Sequence, residues 1–190
     1  FIRDRQVVWD RIIADEKVQK FIKKIDLLKR KGILGKTVKE FSIRSPSQLA
    51  VLLFDKRFYG FKPIEETPSG APSTGSKVLK TLEVKEGCGF CKDILDYRGL
   101  DKTIGTYLEP FYELGKKNKG FIHGQFHLFV TATGRLASSR PNLQNIPNKS
   151  AGHVKRLITS RYPNGIIIGV DYSQLELRIL AALSEDERMM

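Results

Sequence analysis

Cysteine is scarce in this sequence: its 190 residues contain only Cys88 and Cys91, which form the segment CGFC. One C-x-x-C pair can be a redox centre or half of a zinc site, but zinc needs two further ligands at matching spacing. The three histidines lie far from the pair at irregular intervals, and no thioredoxin-like strand pattern accompanies it. Among these alternatives we favour two ordinary thiols at the start of a helix in CKDILDYRGL.

Long apolar runs are also missing. No stretch approaches the roughly 18 apolar residues that span a membrane, and the first segment, FIRDRQVVWD, lacks the apolar core of a signal peptide. Internal repeats and low-complexity tracts are absent as well. The hydrophobic fraction of 41% is that of a globular chain. We therefore expect a soluble, intracellular protein with one large domain or two small ones.

Acidic residues are outnumbered by basic ones. The 33 Lys and Arg against 21 Asp and Glu give a formal net charge of +12 and a pI near 9.7. This charge favours a polyanionic partner, with nucleic acid first and an acidic membrane surface second. Nine of the basic residues and one acid, Asp26, lie between Lys17 and Lys39. Two interpretations of this run stay open, a solvated helix face or a surface that follows a phosphate backbone.

Apolar spacing predicts a mainly helical first half. An amphipathic helix should begin at its cap, Asp15, and extend to Lys31, and a second should open at Ser45. The segment 60–76 is rich in Pro, Gly, Ser and Thr, which predicts a loop with many turns. Helices joined by such a loop suggest a protruding arm.

Two more helices are expected after this loop. Ser73 or Thr74 should cap the first, in KVLKTL, and the segment 92–114 carries helical apolar spacing. Arg98 and Lys102 stand four residues apart on one side of the second helix, where like charges disfavour an isolated helix. A phosphate lying against both side chains would relieve that repulsion.

Strand patterns begin at Gly120. The segment FIHGQFHLFV is rich in aromatic and β-branched residues, and the run 166–170, Ile-Ile-Ile-Gly-Val, predicts a strand buried on both faces. This strand would deliver Asp171 to the edge of an apolar core, where the carboxylate must be paired, hydrogen-bonded or bound to a metal. The S-x-x-E pattern that begins at Ser184 predicts the start of a further helix.

A long polar loop lies between the two halves. The segment TATGRLASSRPNLQNIP, residues 131–147, has little apolar periodicity. Its hydrogen-bonding side chains are Thr131, Thr133, Arg135, Ser138, Ser139, Arg140, Asn142, Gln144 and Asn145. An ordinary surface loop has a similar composition, but a long loop held by Gly134, Pro141 and Pro147 just before a strand-end acid is typical of a binding site.

The loop TATGRLASSRPNLQNIP and the later motif DYSQLELR together resemble family A DNA polymerases, the bacterial DNA polymerase I type that many phages share. Upstream, TPSGAPSTGSKVLKTL and ILDYRGLDKTIGTY resemble the thumb of that family, so the similarity covers roughly residues 45–183. Three positions depart from the usual pattern: Ala137 replaces a serine, Leu175 an isoleucine and Gly105 a serine. Ala137 lacks the hydroxyl with which a serine at this position could form a local hydrogen bond.

The resemblance implies an α+β fold, a fragment of a right-hand polymerase that lacks the fingers and the rest of the palm. Residues 1–16 would lead in from the palm, 17–119 would form a helical thumb, and 120–190 would form the first part of the palm. The implied activity is DNA-templated DNA synthesis in replication or repair, by two-metal phosphoryl transfer at a primer 3′ end. The expected partners are primer-template DNA, dNTP and the remaining half of the polymerase, in cis or as a second chain.

The resemblance also implies roles for individual residues. Asp171 and Glu176 would be catalytic, and Asp171 would bind two Mg²⁺ ions with the backbone carbonyl of Tyr172. Residues of the nucleotide site would be Tyr172, Ser173, Gln174, Glu176 and Arg156. Residues that contact DNA would be Arg98, Lys102, Thr133, Arg135, Asn142, Gln144, Asn145 and Arg178.

We expect this chain alone to bind DNA but to lack a complete active site, because the resemblance requires a second palm carboxylate. Two alternatives stay open: a non-catalytic nucleic-acid-binding subunit of a split polymerase, and a relative of single-subunit RNA polymerases. The expected location is the cytoplasm of a bacterium or of a phage-infected host, with an organelle left open.

Overall fold

A computed structural model describes residues 1–146 and 152–189. The chain divides into two units, Phe1–Ala151 and Gly152–Met190. In the described part of the first unit the elements are α1 (Ile2–Ala14), α2 (Glu16–Arg30), α3 (Pro46–Phe54), α4 (Ser76–Glu86), α5 (Gly89–Thr103), a π-helical turn (Ile104–Leu108), α6 (Glu109–Lys117), β1 (Gln125–His127) and β2 (Ala137–Ser139). In that of the second unit they are α7 (Gly152–Lys155) and α8 (Leu175–Ser184).

Side-chain caps begin α2 and α3, as the sequence predicts. The Asp15 carboxylate accepts hydrogen bonds from the backbone N–H groups of Lys17 and Val18 at 2.9 and 3.1 Å. The Ser45 hydroxyl accepts one from the backbone of Gln48 at 3.4 Å. Both residues satisfy donors that a helix N-terminus otherwise leaves unpaired.

The helix in KVLKTL is confirmed, but its predicted cap is wrong. Gly75 holds the position before α4, and no side chain caps this helix. The Ser73 hydroxyl accepts instead from the backbone N–H of Gly75 at 3.3 Å. Thr74 is buried, and its carbonyl accepts a hydrogen bond from Arg98 at 2.8 Å. The Ser73 bond is local, whereas the bond from Arg98 joins the end of the 60–76 loop to α5.

The two cysteines stand at the start of α5, in agreement with the prediction. The Cys88 sulfur accepts a hydrogen bond from the backbone N–H of Cys91 at 3.1 Å, so Cys88 caps this helix. Both residues are buried. A hydrogen bond from the Cys91 thiol lowers the pKa of Cys88, and the same bond raises the pKa of Cys91.

The core of the first unit lies among its helices. Apolar side chains of α2 and α3 are buried in it, and α1 and α4 both pack on α5. Fully buried members of this core include Ile12, Phe21, Leu28, Leu49, Leu52, Leu79 and Ile94. Burial of such side chains is the main favourable contribution to folding.

Ion pairs fix α1 on α5 beside this core. The Asp101 carboxylate accepts hydrogen bonds from Arg5 at 2.8 Å and from Arg44 at 2.6 Å. A second ion pair joins the same two helices: Arg11 of α1 lies 2.7 Å from Asp93 of α5. Because α5 also carries Arg98, these contacts set the position of a residue that the sequence predicts to bind DNA.

The predicted helix over 92–114 is confirmed with one irregularity. A π-helical turn at Ile104–Leu108 separates α5 from α6. Pro110 lies in the first turn of α6 and has no N–H to donate to Thr106, so a regular α-helical ladder cannot continue through this point. The turn buries Ile104 and Tyr107.

Strand structure after Gly120 is shorter than predicted. The strands β1 and β2 pair antiparallel, with Phe126 opposite Ser138. The His127 ring and the Ser139 hydroxyl lie at hydrogen-bond distance, 2.7 Å. Most of the apolar segment around β1 is exposed, including Phe129 at 94%. Only three residues of this apolar segment form a strand, because strand propensity depends on what pairs with and covers the strand.

Two predictions for the second unit are wrong. The run 166–170 is not a strand and is exposed, and Asp171 is exposed with it. A strand needs a neighbour for its backbone N–H and C=O groups, and the described part of the chain offers none beside this run. Ser184 ends α8 instead of beginning a helix, because Glu185 takes the left-handed conformation of a C-cap with φ 53°.

The expected α+β character is present as a helix-rich architecture with a small two-stranded sheet in the described ranges. Among the helices of those ranges, none is both long and apolar enough to cross a membrane.

Candidate nucleic-acid interface

Arg98 lies on the side of α5 that faces the end of the 60–76 loop. It is half-buried, and one guanidinium nitrogen donates to the Thr74 carbonyl at 2.8 Å. Partial burial lowers the pKa of Arg98 from its ordinary value, although an arginine stays charged at neutral pH. This bond leaves further guanidinium N–H groups for an anion.

A cleft of about 330 Å³ lies between the end of the helical region and the polar loop. Its lining comprises Lys102, Thr106, Tyr107, Phe111, Pro141, Asn142 and Asn145. The structure therefore brings together three predicted DNA-binding residues, Lys102, Asn142 and Asn145, from segments about forty residues apart. Lys102 supplies a cation, and the two asparagines supply amide donors and acceptors.

Hydrogen bonds inside the polar loop shape one wall of this cleft. The Ser138 hydroxyl accepts from the backbone N–H of Leu143 at 3.2 Å, and the Asn142 carboxamide oxygen accepts from the backbone N–H of Gln144 at 3.0 Å. The Leu143 side chain lies so close to Gly124 that an added Cβ would meet it at 2.8 Å. These contacts fix the loop backbone and leave the side chains of Gln144 and Asn145 exposed.

The remaining predicted residues of this loop are Thr133 and Arg135. Both are exposed in the turn before β2. The Arg135 carbonyl accepts a hydrogen bond from the Thr131 hydroxyl at 2.6 Å. Pro147, the predicted end of the loop, lies outside the described residues.

In the second unit, the first turn of α8 gathers several predicted residues. Gln174 precedes the helix in a left-handed conformation with φ 54°, and Glu176 lies in the first turn. Arg178 donates from Nε to the Ser173 carbonyl at 2.8 Å. Gln174 and Arg178 line a second cleft, of about 360 Å³, with Leu177 and Met189. The predicted nucleotide-binding motif is thus locally ordered around a helix start.

Asp171, Tyr172 and Arg156 are exposed in this unit. No group of three or more His, Cys, Asp or Glu side chains that could hold a metal ion occurs in the ranges 1–146 and 152–189. The carboxylate of Asp171 and the carbonyl of Tyr172 are oxygen donors of the kind Mg²⁺ prefers. They fit one side of such an ion but leave most of its roughly six positions to other ligands.

Tyr107 is a residue of the cleft that the sequence motifs did not single out. Its hydroxyl donates to the Asn145 carbonyl at 2.5 Å, although 38 residues separate the two. The segment ILDYRGLDKTIGTY, which resembles the family's thumb, ends at Tyr107, but the resemblance assigns this residue no role. The signal available in the sequence was the pair Gly105 and Pro110, since both disturb a regular helix around this residue.

Comparison with known proteins identifies the family. The model of DNA polymerase family A matches residues 13–190, so the chain belongs to this family. DNA polymerase I of Pseudomonas aeruginosa is 39% identical over 152 residues, or 80% of this chain. DNA polymerase I of Bacillus subtilis is 35% identical over 181 residues, or 87% of this chain. The thermostable DNA polymerase I of Thermus aquaticus is 39% identical over 153 residues.

These relatives are much longer than the chain. The matched part spans 16% of the Pseudomonas protein, 20% of the Bacillus protein and 18% of the Thermus protein. Among solved structures, the POL domain of Pol1 from M. smegmatis, in complex with DNA primer-template and dNTP, is 28% identical. It superposes with a TM-score of 0.59 over 95% of this chain and 30% of its own.

Proposed function

We propose that this chain is the primer-template-binding part of a DNA-directed DNA polymerase and contributes one metal-binding aspartate to its active site. The observation that carries the proposal is the cleft where Lys102 meets Asn142 and Asn145. A cation beside amide donors suits a nucleic acid, because phosphate contacts supply affinity and amide groups sense base edges. The solved relative described as a complex with DNA primer-template and dNTP supports this assignment.

In this proposal residues 17–119 are the thumb, with 1–16 leading in from the palm and 120–190 beginning the palm. Arg98 and Lys102 hold backbone phosphates of the duplex, so their contribution is independent of sequence and falls with salt. The basic face of α2 adds to the same long-range attraction.

The loop residues Arg135, Asn142, Gln144 and Asn145 face the primer terminus and the minor groove beside it, with Thr133 next to them. The minor groove presents acceptors at nearly the same positions in all four base pairs. Donors placed there sense the geometry of a correct pair without reading its sequence. A polymerase needs this property because it must extend every correct pair.

Around α8, Glu176 occupies the space that a ribose 2′-hydroxyl would need, so a deoxynucleotide is preferred. Gln174, Tyr172 and Ser173 line the nucleotide side of this site, and Arg178 lies toward the primer. Arg156 supplies a positive charge for the triphosphate.

Asp171 and the carbonyl of Tyr172 would hold Mg²⁺ together with ligands from the remaining half of the polymerase. The bound metal supplies charge neutralisation on the triphosphate and activation of the primer 3′-hydroxyl. This chain's own residues orient the primer terminus and exclude the wrong sugar. The remaining half of the polymerase would be supplied in cis or as a second chain. The expected location is the cytoplasm of a bacterium or of an infected host.

The test is a DNA-binding titration of the chain at several salt concentrations. Changing Arg98 and Lys102 to alanine should weaken binding to primer-template equally for unrelated DNA sequences. The slope of log affinity against log salt should become shallower by up to about one unit per lost phosphate contact. Lys80→Ala is the matched control, because Lys80 is exposed on α4 and its removal changes the net charge in the same direction. An unchanged salt slope in the double variant would contradict the proposal.

The alternative of a DNA-binding subunit without catalysis remains open, since the described residues supply one candidate metal aspartate. Adding the missing half of a family A polymerase, in cis or in trans, distinguishes the two. Restored primer extension that requires Asp171 supports the polymerase, and DNA binding without restored extension supports the binding subunit.

A further inference from the structure

We propose that Tyr107 is a positioning residue for the primer-terminus loop and acts through the backbone of Asn145. The inference rests on the proposed function, because Asn145 matters to it as a DNA-binding residue. Tyr107 itself has only 6% of its surface exposed and is not a DNA contact in this proposal.

Among the described residues, the bond from the Tyr107 hydroxyl is the one long-range hydrogen bond at Asn145. The bond to the Asn145 carbonyl measures 2.5 Å. The hydrogen bonds that join Ser138 to Leu143 and Asn142 to Gln144 run within the loop, so they define its shape but not its placement on the helices. In the described first unit, the bond from Tyr107 joins the loop directly to the helical region.

The helical side of this contact is buried and packed. The Tyr107 ring meets Phe111 edge to face, with centroids 6.3 Å apart at 72°. Ile104, one turn earlier, is 1% exposed. The phenol therefore has a packed ring and a hydroxyl at the cleft, an arrangement in which one end of a tyrosine is apolar and the other polar.

Tyr107 lies in the π-helical turn between α5 and α6. Such turns add a residue to a helix and change the direction of the side chains that follow. Here the turn spans Ile104–Leu108 and contains Tyr107, while Lys102 lies just before it in α5. Lys102 and Tyr107 line the same cleft, one as a candidate phosphate contact and the other as the anchor of Asn145.

Tyr107→Phe isolates this role because it keeps the ring and removes only the hydroxyl. We expect faster amide hydrogen exchange in the loop peptide that contains Asn145, with little change in the helices. DNA affinity should fall by about three- to tenfold, the usual effect of one lost hydrogen bond. The salt dependence should stay the same, because no phosphate contact is removed. Tyr112→Phe is the control, since Tyr112 is 67% exposed on α6.

A double-mutant cycle separates positioning from general stability. If Tyr107 acts through Asn145, Tyr107→Phe should weaken DNA binding in the wild-type chain and have no further effect in the Asn145→Ala background. An equal loss of affinity in both backgrounds would overturn the proposal, as would unchanged hydrogen exchange in the loop. If the wild-type chain binds no primer-template, the proposed function fails as well, whereas normal binding with an unaffected Tyr107→Phe variant refutes only the positioning role.

Discussion

Replacing Asp101 by asparagine should loosen the attachment of α1 to the helix that carries Arg98 and Lys102. The Asp101 side chain is 16% exposed and accepts hydrogen bonds from Arg5 and Arg44. Asparagine keeps the size and can still accept a hydrogen bond through its oxygen, but it removes the negative charge between two guanidinium groups. The substitution therefore tests the charge and not the packing.

The expected loss follows from the exposure of the two partners. Arg44 is 69% exposed, so its pair with Asp101 is screened by water and contributes little. Arg5 is 29% exposed, and a charged hydrogen bond that is partly shielded contributes more. Together they suggest a decrease of about 1 to 2 kcal/mol in the free energy of unfolding.

Urea unfolding followed by tryptophan fluorescence measures this loss of stability with a probe in α1. Trp9 is the single tryptophan of the chain, lies in α1, and packs against Phe41 and Tyr97 at centroid distances of 6.2 and 5.6 Å. Asp96→Asn is the control, because Asp96 is exposed on the same helix as Asp101. A loss in Asp101→Asn no greater than in Asp96→Asn would refute the reasoning.

The pH dependence provides a second check on the same residue. Partial burial opposes ionisation of Asp101, but the hydrogen bonds from Arg44 and Arg5 outweigh it, so the pKa of this carboxyl lies below its ordinary 3.8. A lowered carboxyl pKa stabilises the fold fully above the unfolded pKa, and this contribution is lost as the pH falls through the folded pKa. The difference in stability between wild type and Asp101→Asn should therefore be constant near neutral pH and shrink below about 4. A difference that stays constant through this range would exclude the charge as its cause.

Three further predictions concern Cys88 at the start of α5 and two residues of the DYSQLELR motif, Glu176 and Asp171. Cys88→Ala should lower the free energy of unfolding by about 1 kcal/mol, because the backbone N–H of Cys91 loses its hydrogen-bond acceptor. Cys88→Ser should retain most of this stability, because the serine hydroxyl can accept the same hydrogen bond. Equal urea midpoints for the two variants would contradict a capping role. In the complete polymerase, Glu176→Ala should raise ribonucleotide incorporation relative to deoxyribonucleotide incorporation. Asp171→Asn should slow single-turnover nucleotide addition by orders of magnitude and leave primer-template affinity nearly intact. Unchanged sugar selectivity, or near-normal chemistry, would remove the role assigned to that residue.

Local signals in the sequence predicted local structure well. The caps Asp15 and Ser45 could be predicted because each side chain accepts hydrogen bonds only from backbone N–H groups in the next turn of the helix. The run 166–170 failed for the opposite reason. Its composition predicts a buried strand, but pairing and burial depend on segments elsewhere, and the described chain supplies no strand beside it.

The residues of the candidate site also divide into those that local motifs predict and those that depend on contacts distant in sequence. Motif resemblance selected Lys102, Asn142 and Asn145, and the structure gathers all three in one cleft. The role proposed for Tyr107 was not predicted, because it depends on a contact across 38 residues that sequence spacing does not reveal. Asp101 was missed for a related reason, since its partners Arg5 and Arg44 come from distant parts of the chain.

Asp101 and Tyr107 lie on either side of Lys102, and this arrangement bears on how the cleft keeps its shape. Asp101 ties the last turn of α5 to α1, and Tyr107 ties the following π-helical turn to the polar loop. The ammonium group of Lys102 sits on a flexible stem and can adapt to a phosphate, whereas the amide of an asparagine must be placed accurately to sense a base edge. Under the proposed function, the fixed contacts therefore fall where accuracy is needed: on the backbone of Asn145 and on the helix that supports the cleft.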